Sequence, residues 1–377
     1  MDSLGMTEIF VPSEQKAVVT PCMGKNLNLT VQTIGVDEPG PGEVLLRIHY
    51  TGICRSDATF SVGPKKGYPL HNHIAGHEGI GEVVKAHDPA LLGKLFGLRY
   101  LGSSCGSCTY CLRNLPTSCP KQSNAPKQIQ GTFQQYARVP LDALVALPET
   151  IMNGDIDPAW YASALCSGST ALVSLRAAKL QPGDIAIVVG IAGAIGHLTG
   201  MIAKNVLRVK VIGIDLGSKI GDLMSVHHDF ADVLLEAPSP HDDQLWSKFH
   251  ADLLETCVQL RGGHGVERAA EAVIVTSSEL SGFQRLEEYI CDGGTIVCAG
   301  VPSGLNLVSL PIHSVVERNL HLRGNLMGGH RESLEVIEYI TSGKITPRIA
   351  KVTLEDVPEY MQRMVDCQTT GKIVVCL

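Results

Sequence analysis

The feature that most constrains the fold is an unbroken apolar run, Ile185–Val189, with the sequence IAIVV. A glycine-rich turn follows it, and apolar residues then recur at helical spacing from Ile195 to Val206. A short β-branched run without polar alternation is typical of a strand that a parallel sheet buries on both faces. Further strands are predicted at 209–214 and 295–299. Strands that alternate with helices predict an α/β domain built on a doubly wound parallel sheet.

Residues 1–165 differ from this region, because their short apolar runs are punctuated by glycine and proline. Such runs are too short for helices, and they predict a β-rich region with strands at 43–50, 79–84 and 133–139. The remaining predicted elements are helices over 277–289, 332–340 and 358–364 and a strand over 373–375.

Twelve cysteines need an explanation, and four of them form a C-x2-C-x2-C-x7-C pattern within fifteen residues: Cys105, Cys108, Cys111 and Cys119. In a long chain without a secretory signal, clustered cysteines bind metal more often than they pair. Four converging thiolates complete a closed, structural zinc site. The alternative is an iron–sulfur cluster, but the ferredoxin run has a final gap of three residues rather than seven. We therefore predict structural zinc in this segment, the cysteine lobe.

The charge balance excludes several classes of partner. The chain has 31 basic and 38 acidic residues, a formal charge of −7, and no dense block of lysine and arginine. This composition argues against nucleic-acid binding, including by a zinc ribbon at the cysteine lobe. No apolar run approaches the roughly 18 residues of a membrane span, and the N-terminus lacks the segments of a secretory signal. We predict a cytoplasmic protein without nucleic-acid or membrane partners.

A second metal site is suggested by Cys54 in GICRSD, His77 in AGHEGIG and Cys166 in LCSGST. Two thiolates and one imidazole are the donor set of a catalytic zinc that keeps its fourth position open. Asp57 and Glu78 stand beside two of these residues and are predicted to orient them without binding the metal. Spacing alone does not establish that the three donors converge.

Eight stretches together resemble the zinc-dependent medium-chain alcohol dehydrogenases, above all the yeast-like tetrameric branch. They are GICRSD at 52–57, GHEGIGEVV at 76–84, the cysteine lobe, GTFQQYA at 131–137, LCSGST at 165–170, GIAGAIG at 190–196, VIGID at 211–215 and AGVPSG at 299–304. The resemblance implies catalytic zinc on Cys54, His77 and Cys166, structural zinc on the cysteine lobe, and a homotetramer. It also implies three segments: a GroES-like catalytic domain over 1–167, a Rossmann domain over 168–327, and a return to the catalytic domain over 328–377.

A dinucleotide site is predicted at Gly190, Gly193 and Gly196, which follow the first buried strand and open a helix. Such a turn lets the backbone approach a pyrophosphate at the helix N-terminus. Asp215 follows Gly196 by nineteen residues, close to the roughly 20 expected for an acid that binds the adenosine ribose. Its charge would repel a 2′-phosphate, so we predict NAD rather than NADP.

The resemblance adds further cofactor contacts. It assigns Arg55 and Lys372 to the pyrophosphate, Lys219 to the neighbourhood of the adenosine ribose and Thr170 to the nicotinamide. It assigns the backbone of Ala299 and Val301 to the carboxamide. Ala194 and Ile195 complete the glycine-rich turn.

The family mechanism predicts that Ser56 hydrogen-bonds the substrate oxygen and accepts its proton. The family's relay histidine falls on Thr59, which does not titrate near pH 7, so we expect an altered pH dependence. The aromatic residue that narrows the pocket in yeast-type enzymes corresponds to a position near Ser61 in this chain, whereas Tyr100 keeps an aromatic residue on the other wall. The wider pocket predicts a substrate larger than ethanol.

The leading interpretation is a zinc enzyme that interconverts an alcohol and an aldehyde or ketone by hydride transfer with NAD(H). A polyol or secondary-metabolite dehydrogenase of the same superfamily is an alternative. A binding protein that retains the fold without catalysis is another, and the intact candidate residues argue against it.

Overall fold

The computed structural model describes residues 9–63, 66–238, 242–263, 269–302 and 307–377. The strands within these ranges are β1 (Glu14–Cys22), β2 (Thr30–Gly35), β3 (Glu43–Ile53), β4 (His71–His73), β5 (Glu78–Ala86), β6 (Leu95–Arg99), β7 (Leu101–Ser103), β8 (Ser123–Asn124), β9 (Tyr136–Pro140), β10 (Leu144–Ala146), β11 (Ile185–Val189), β12 (Lys210–Asp215), β13 (Val233–Glu236), β14 (Ala270–Val275), β15 (Ile290–Cys298), β16 (His321–Gly324), β17 (Ile349–Val352) and β18 (Lys372–Cys376). The helices are α1 (Arg55–Phe60), α2 (Thr109–Leu112), α3 (Thr150–Asn153), α4 (Ala159–Ala162), α5 (Ser167–Ala178), α6 (Ala194–Asn205), α7 (Gly217–Leu223), α8 (Asp243–Leu260), α9 (Ile312–Glu317), α10 (His330–Thr341) and α11 (Val357–Val365).

The chain divides into two units. The first contains the described residues up to Cys166 together with Ile349–Thr369 and Ile373–Leu377. The second contains the described residues of Ser167–Arg348 together with Thr370–Lys372. The chain therefore returns to the first unit at Ile349, later than the predicted residue 328.

The later return has a local cause in the second unit, where α10 packs on α5. The Arg176 guanidinium on α5 binds Glu332 at 3.3 Å and both carboxylate oxygens of Glu335 at 2.8 and 2.7 Å. These ion pairs and the apolar face of α10 hold the helix to the second unit, which the sequence pattern did not reveal.

The first unit is built on antiparallel sheets. Its largest sheet has the order β10-β6-β5-β3-β18-β17, and β9 also pairs with β3. A second sheet has the order β2-β1-β4, and β7 pairs with β8. The central strand β3 is buried along most of its length, which explains its apolar sequence. Because β3 leads directly into α1, this buried strand fixes the position of Cys54, the first candidate metal ligand, between the two elements.

The second unit is built on one parallel sheet with the order β13-β12-β11-β14-β15-β16. Every residue of β11 is buried, as expected for a strand covered on both faces. The strand order reverses between β11 and β14, and ligands of such sheets bind beyond the carboxyl ends of the strands at this point. The predicted α/β class with a doubly wound sheet is confirmed.

The predicted helix over 277–289 is wrong. The structure has two short 3₁₀ turns there, Leu280–Phe283 and Leu286–Glu288. Arg285 lies between them with φ of 54°, a left-handed conformation that ends a helix. Phe283 and Leu286 are buried, so their apolar spacing reflects core packing around a bend rather than one helical face.

Two further observations concern the length of the helices and the state of the cysteines. Across the described ranges, none of the helices combines the length and apolar character that a bilayer crossing requires. All twelve cysteines lie in described residues, and all are free thiols.

Candidate active site

Four donor atoms converge in the first unit, from Cys54, His77, Glu78 and Cys166. Each offers one ligand atom, and these atoms all lie within 4.8 Å of one another. We call these residues the donor group. Cys54 is half-buried, whereas the other three are buried. Residues up to 112 positions apart in the sequence are thus brought together by β3, β5 and the turn before α5.

The end of β3 places Cys54. This residue precedes α1 in an extended conformation, with φ of −120° and ψ of 148°. Asp57, in the first turn of α1, reaches back so that its Oδ2 accepts the Cys54 backbone N–H at 3.0 Å. An acidic residue that caps a helix in this way fixes the entry of the chain into the helix. The GICRSD motif is therefore a strand-to-helix corner that presents the thiol.

Asp57 also orients His77. Its Oδ1 lies 2.7 Å from His77 Nδ1 and accepts the Gly76 backbone N–H at 3.0 Å. Burial disfavours protonation of His77, but the Asp57 and Cys54 side chains outweigh it and raise the pKa well above its usual value. With Nδ1–H donated to the carboxylate, Nε2 is the nitrogen that faces the other donors. The structure thus places the Asp57 carboxylate against the His77 imidazole and the Gly76 backbone.

Glu78 lies closer to the donors than the sequence led us to expect. Its Oε1 is 3.9 Å from His77 Nε2, and its side chain is fully buried. The sequence placed Glu78 beside the ligands, whereas the structure brings a carboxylate oxygen into the donor group itself. The group thus offers two sulfurs, one nitrogen and one oxygen, a set that suits a single zinc ion.

The two candidate proton-handling residues sit on α1. Ser56 is half-buried and lies between the Cys54 corner and Asp57. Thr59 is exposed, and its hydroxyl donates to the Arg55 carbonyl at 3.4 Å within the helix. The position of the family's relay histidine is therefore occupied by a hydroxyl that bonds its own helix.

An aromatic stack of Tyr68, Phe60 and Tyr100 lies beside His77. The Phe60 ring stands 5.3 Å from Tyr68 and 5.4 Å from Tyr100, and its centroid is 5.9 Å from that of His77. Burial and a hydrogen bond with Tyr100 raise the pKa of Tyr68. Ser61, predicted to widen the pocket, is fully buried and donates to the Asp57 carbonyl at 2.8 Å.

Phe60, beside His77, and Tyr68, beside Phe60, were not predicted from the sequence. Phe60 ends the helix that begins at Cys54, which is a usable signal. Tyr68 has no such motif beside it, and only tertiary packing brings it to Phe60.

The cysteine lobe gathers its four sulfurs closely. The Sγ atoms of Cys105 and Cys119 are 3.6 Å apart, those of Cys108 and Cys111 are 3.6 Å apart, and those of Cys105 and Cys111 are 4.0 Å apart. Four sulfurs at about 2.3 Å from one tetrahedral zinc would stand about 3.8 Å from each other. Backbone N–H groups of Ser107 and Cys108 lower the pKa of the Cys105 thiol to about 6. The lobe fits one ion, whereas a multi-iron cluster would spread the thiolates over several irons.

The glycine-rich turn of the second unit follows β11. Gly190 has φ of +87°, which favours glycine. A Cβ on Gly196 would lie 2.1 Å from the Gly190 carbonyl oxygen, so only glycine allows this close approach of the turn and α6. Gly193 precedes α6, and Ala194 and Ile195 in its first turn are half-buried. These features are those of a Rossmann-type phosphate turn.

Asp215 ends β12 and is 8% exposed. Its Oδ2 accepts the Ala192 N–H at 2.8 Å, and its Oδ1 accepts the Leu216 N–H at 2.9 Å. The carboxylate therefore braces the glycine-rich turn as well as standing at the carboxyl edge of the sheet. This bracing role was not part of the sequence prediction.

The other predicted cofactor residues occupy varied environments. Thr170 is buried in α5, Lys219 is half-buried in α7, Ala299 is buried after β15, and Val301 is 71% exposed. Two further positions of the AGVPSG stretch, 303 and 304, lie outside the described residues.

The two cations assigned to the pyrophosphate already have protein contacts. An Arg55 guanidinium nitrogen lies 3.5 Å from Cys367 Sγ, in the first unit. Lys372 is fully buried, and its Nζ donates to Ser167 Oγ at 3.4 Å, in the second.

His197 was not singled out by sequence. It is buried in α6, with Nδ1 2.9 Å from the Gly193 carbonyl oxygen, and its Nε2 accepts the Arg348 N–H at 3.3 Å. Burial lowers its pKa to about 4, and the positive charges of Arg348 and Lys372 act in the same direction. A neutral imidazole therefore links the glycine-rich turn to the end of the second unit.

Comparison with known proteins adds an independent line of evidence. Residues 40–149 match the family described as "Alcohol dehydrogenase GroES-like domain". Alcohol dehydrogenase 2 of Emericella nidulans is 28% identical over 386 residues, covering 97% of this chain and 98% of that protein. An alcohol dehydrogenase of Schizosaccharomyces pombe is 28% identical over 374 residues, covering 97% of this chain and 99% of that protein.

Solved structures share the fold along the whole chain. An acetophenone reductase from Geotrichum candidum in complex with NAD has a TM-score of 0.76 at 22% identity, covering 98% of both chains. A cobalt- and zinc-bound thermostable alcohol dehydrogenase from Pyrobaculum aerophilum has a TM-score of 0.76 at 23% identity, covering 97% of this chain and 100% of that one. The predicted combination of a GroES-like and a Rossmann-type fold is confirmed.

Proposed function

We propose that this chain is a zinc-containing medium-chain alcohol dehydrogenase that interconverts an alcohol and an aldehyde or ketone with zinc and NAD(H). Convergence of the Cys54, His77 and Cys166 donors in one group carries this proposal. The related proteins support an alcohol oxidoreductase in general. The zinc, the NAD(H) and the residue roles given below are parts of the proposal.

A zinc ion in the donor group supplies Lewis acidity toward the substrate oxygen, and a nicotinamide supplies the hydride acceptor. Within the protein, Asp57 holds His77 in one tautomer and Cys54 at the corner, so the donors are fixed before any ligand arrives. Such preorganisation avoids reordering the site at each turnover.

Proton handling falls to Ser56 in this proposal. Its hydroxyl is half-buried two residues after Cys54, and it accepts the proton of the alcohol while it passes its own proton onward. Thr59 bonds the helix backbone and has no group that titrates near pH 7. The proton therefore leaves through water or through other hydroxyls. The pH–rate profile should then lack the inflection that titration of a relay histidine would cause.

NAD is the proposed cofactor. The glycine-rich turn from Gly190 to Gly196 allows the close backbone approach that a pyrophosphate needs. The Asp215 carboxylate, at the carboxyl edge of the sheet, accepts hydrogen bonds from the adenosine ribose and disfavours a 2′-phosphate. The proposal keeps the cofactor contacts that the resemblance implies. Arg55 and Lys372 contact the pyrophosphate, and Lys219 lies near the adenosine ribose. Thr170 contacts the nicotinamide, and the backbone at 299 and 301 contacts its carboxamide.

A second zinc in the cysteine lobe is proposed as structural. Its four thiolates use all tetrahedral positions, so no substrate can enter. Its contribution is to order a segment whose secondary structure is limited to short helical turns, the four-residue α2 and a three-residue turn at Pro116–Ser118.

Self-association is proposed at the outer edge of the parallel sheet. The edge strand β16 is exposed at all four of its residues, and Leu322 on it is 52% exposed. The adjacent α9 exposes Ile312 and Val316 at 75% and 67%. An unpaired strand edge with apolar neighbours favours pairing with a second copy. A homotetramer in the reducing cytoplasm is the corresponding proposal, consistent with twelve free thiols.

The test is NADH formation by the zinc-loaded protein over a panel of primary, secondary, aryl and polyol alcohols, each with NAD and with NADP. The proposal predicts turnover of at least one alcohol class with a preference for NAD. Turnover of polyols alone would instead identify a polyol dehydrogenase of the same superfamily. If no alcohol or carbonyl compound turned over while NAD and zinc both bound, the protein would be a binding protein and the proposal would fail.

A further inference from the structure

Arg99 is a fully buried arginine directly across the sheet from Glu78. The strands β5 and β6 are antiparallel, and Glu78 and Arg99 are Cα partners in their register. Both residues are 0% exposed. Residues that stand opposite each other in an antiparallel pair project from the same face of the sheet. The guanidinium and the carboxylate therefore share one buried face.

That face is the one toward the donor group. Gly97 stands two residues before Arg99 and so lies on the same side of β6. A Cβ on Gly97 would lie 2.8 Å from Leu165 Cδ2, and Leu165 immediately precedes Cys166. The side of β6 that carries Arg99 thus faces the turn that carries one of the sulfur donors.

The charge of this region makes a buried guanidinium useful. Cys54 and Cys166 as thiolates, with the Asp57 and Glu78 carboxylates, amount to four negative charges around a site for one divalent ion. Arginine keeps its charge under all ordinary conditions, and a buried charge requires a partner of opposite sign. Asp57 is already held by three hydrogen bonds, to His77, Cys54 and Gly76. Glu78 is the acid that stands opposite Arg99.

We propose that Arg99 is a positioning residue that offers the Glu78 carboxylate a second cationic partner besides the metal. The inference rests on the proposed metal site. Because Glu78 belongs to the donor group and also faces Arg99, its carboxylate has a choice between two cations. With Arg99 present, the carboxylate is shared and one coordination position stays available to an outside ligand. Without Arg99, this competing cation is lost, and the Glu78 carboxylate closes the donor group on the metal.

The experiment uses the full chain loaded with Co²⁺ and titrated with imidazole, a neutral ligand that enters an open coordination position. The change in visible absorption on titration reports the open site, because the cysteine lobe has no free position. Arg99→Met should weaken imidazole binding about tenfold or more. Glu78→Gln should strengthen it relative to the wild type, and the double variant should recover the affinity of Glu78→Gln.

Conservative and structural controls separate positioning from folding. Arg99→Lys keeps the charge and should retain most of the imidazole affinity. If Arg99→Met fails to fold, Glu78→Gln and Arg99→Lys still decide the question. Unchanged imidazole affinity in folded Arg99→Met, or no gain in Glu78→Gln, would overturn the role of Arg99. Failure of the wild type to bind Co²⁺ at the donor group would instead overturn the proposed metal site.

Discussion

Asp57 Oδ1 lies 2.7 Å from His77 Nδ1, and the same carboxylate accepts the Cys54 backbone N–H through its other oxygen. One buried side chain thus orients two members of the donor group, an imidazole and a thiol. The bond to Cys54 belongs to the capped corner that GICRSD forms at the end of β3, whereas the contact with His77 joins residues twenty positions apart.

Asp57→Asn should weaken zinc binding at the donor group by about 10- to 100-fold, because an amide offers one acceptor oxygen where the carboxylate offers two. The measurement is a competition titration with a chromophoric chelator. Asp155→Asn, at an exposed position, is the matched control. Zinc affinity equal to that of the wild type would show that Asp57 does not organise the site.

Cys108→Ser should remove one of two zinc ions per chain and lower the thermal midpoint, because a structural zinc contributes directly to folding free energy. Metal analysis and calorimetry measure the two effects. Cys22→Ser, at an exposed thiol outside both groups, should change neither. Two retained zinc ions in Cys108→Ser would contradict the assignment of the lobe.

Asp215→Asn should raise the Kd for NAD about tenfold or more, since hydrogen bonds to a charged acceptor are each worth about 1.5–3 kcal/mol. The Kd for NADP should rise less or fall, because the repulsion of its 2′-phosphate is removed. Fluorescence titration measures both constants. Asp222→Asn, exposed on α7, serves as the control. An equal loss for both cofactors would argue that Asp215 only braces the glycine-rich turn.

His197 should make the protein less stable toward acid. Burial lowers its pKa to about 4, against 6.5 for the unfolded chain. Between these values the unfolded chain binds a proton that the folded chain excludes. The free energy of unfolding should therefore fall as the pH drops through this window, by up to about 1.4 kcal/mol per pH unit. Above pH 6.5 this contribution is constant.

The test compares wild type with His197→Gln, whose amide keeps one donor and one acceptor but does not titrate. Denaturant unfolding at about pH 7 and about pH 5 should show a smaller acid loss in the variant. His87→Gln, at an exposed position, should behave as the wild type. Parallel acid losses in wild type and His197→Gln would refute the role of this histidine.

The sequence predicted those parts of the fold that depend on local pattern. IAIVV became the fully buried strand β11, and the glycines after it became the turn whose close approach excludes a side chain at Gly196. The C-x2-C spacings of the cysteine lobe also indicated the convergence of thiols that the structure shows, because a turn over two intervening residues brings the flanking thiols together.

What the sequence missed depends on contacts between distant segments. The neighbourhood of Phe60 and Tyr68, and the pairing of Arg99 with Glu78 across two strands, require the register of the folded sheets. The helix predicted over 277–289 failed because its apolar residues serve a bend in the core rather than a helical face. The spacing of residues along one segment carries no information about such packing between segments.

The most direct test of the central claim is alcohol-dependent NADH formation before chelation, after removal of metal from the donor group, and after zinc is restored. Cys166→Ser, which removes one donor sulfur, accompanies the wild type through the same cycle. The account predicts activity that is lost with the metal and returns with zinc in the wild type, and little activity in Cys166→Ser at any stage. A metal-stripped wild type that oxidised alcohols at its original rate would contradict it.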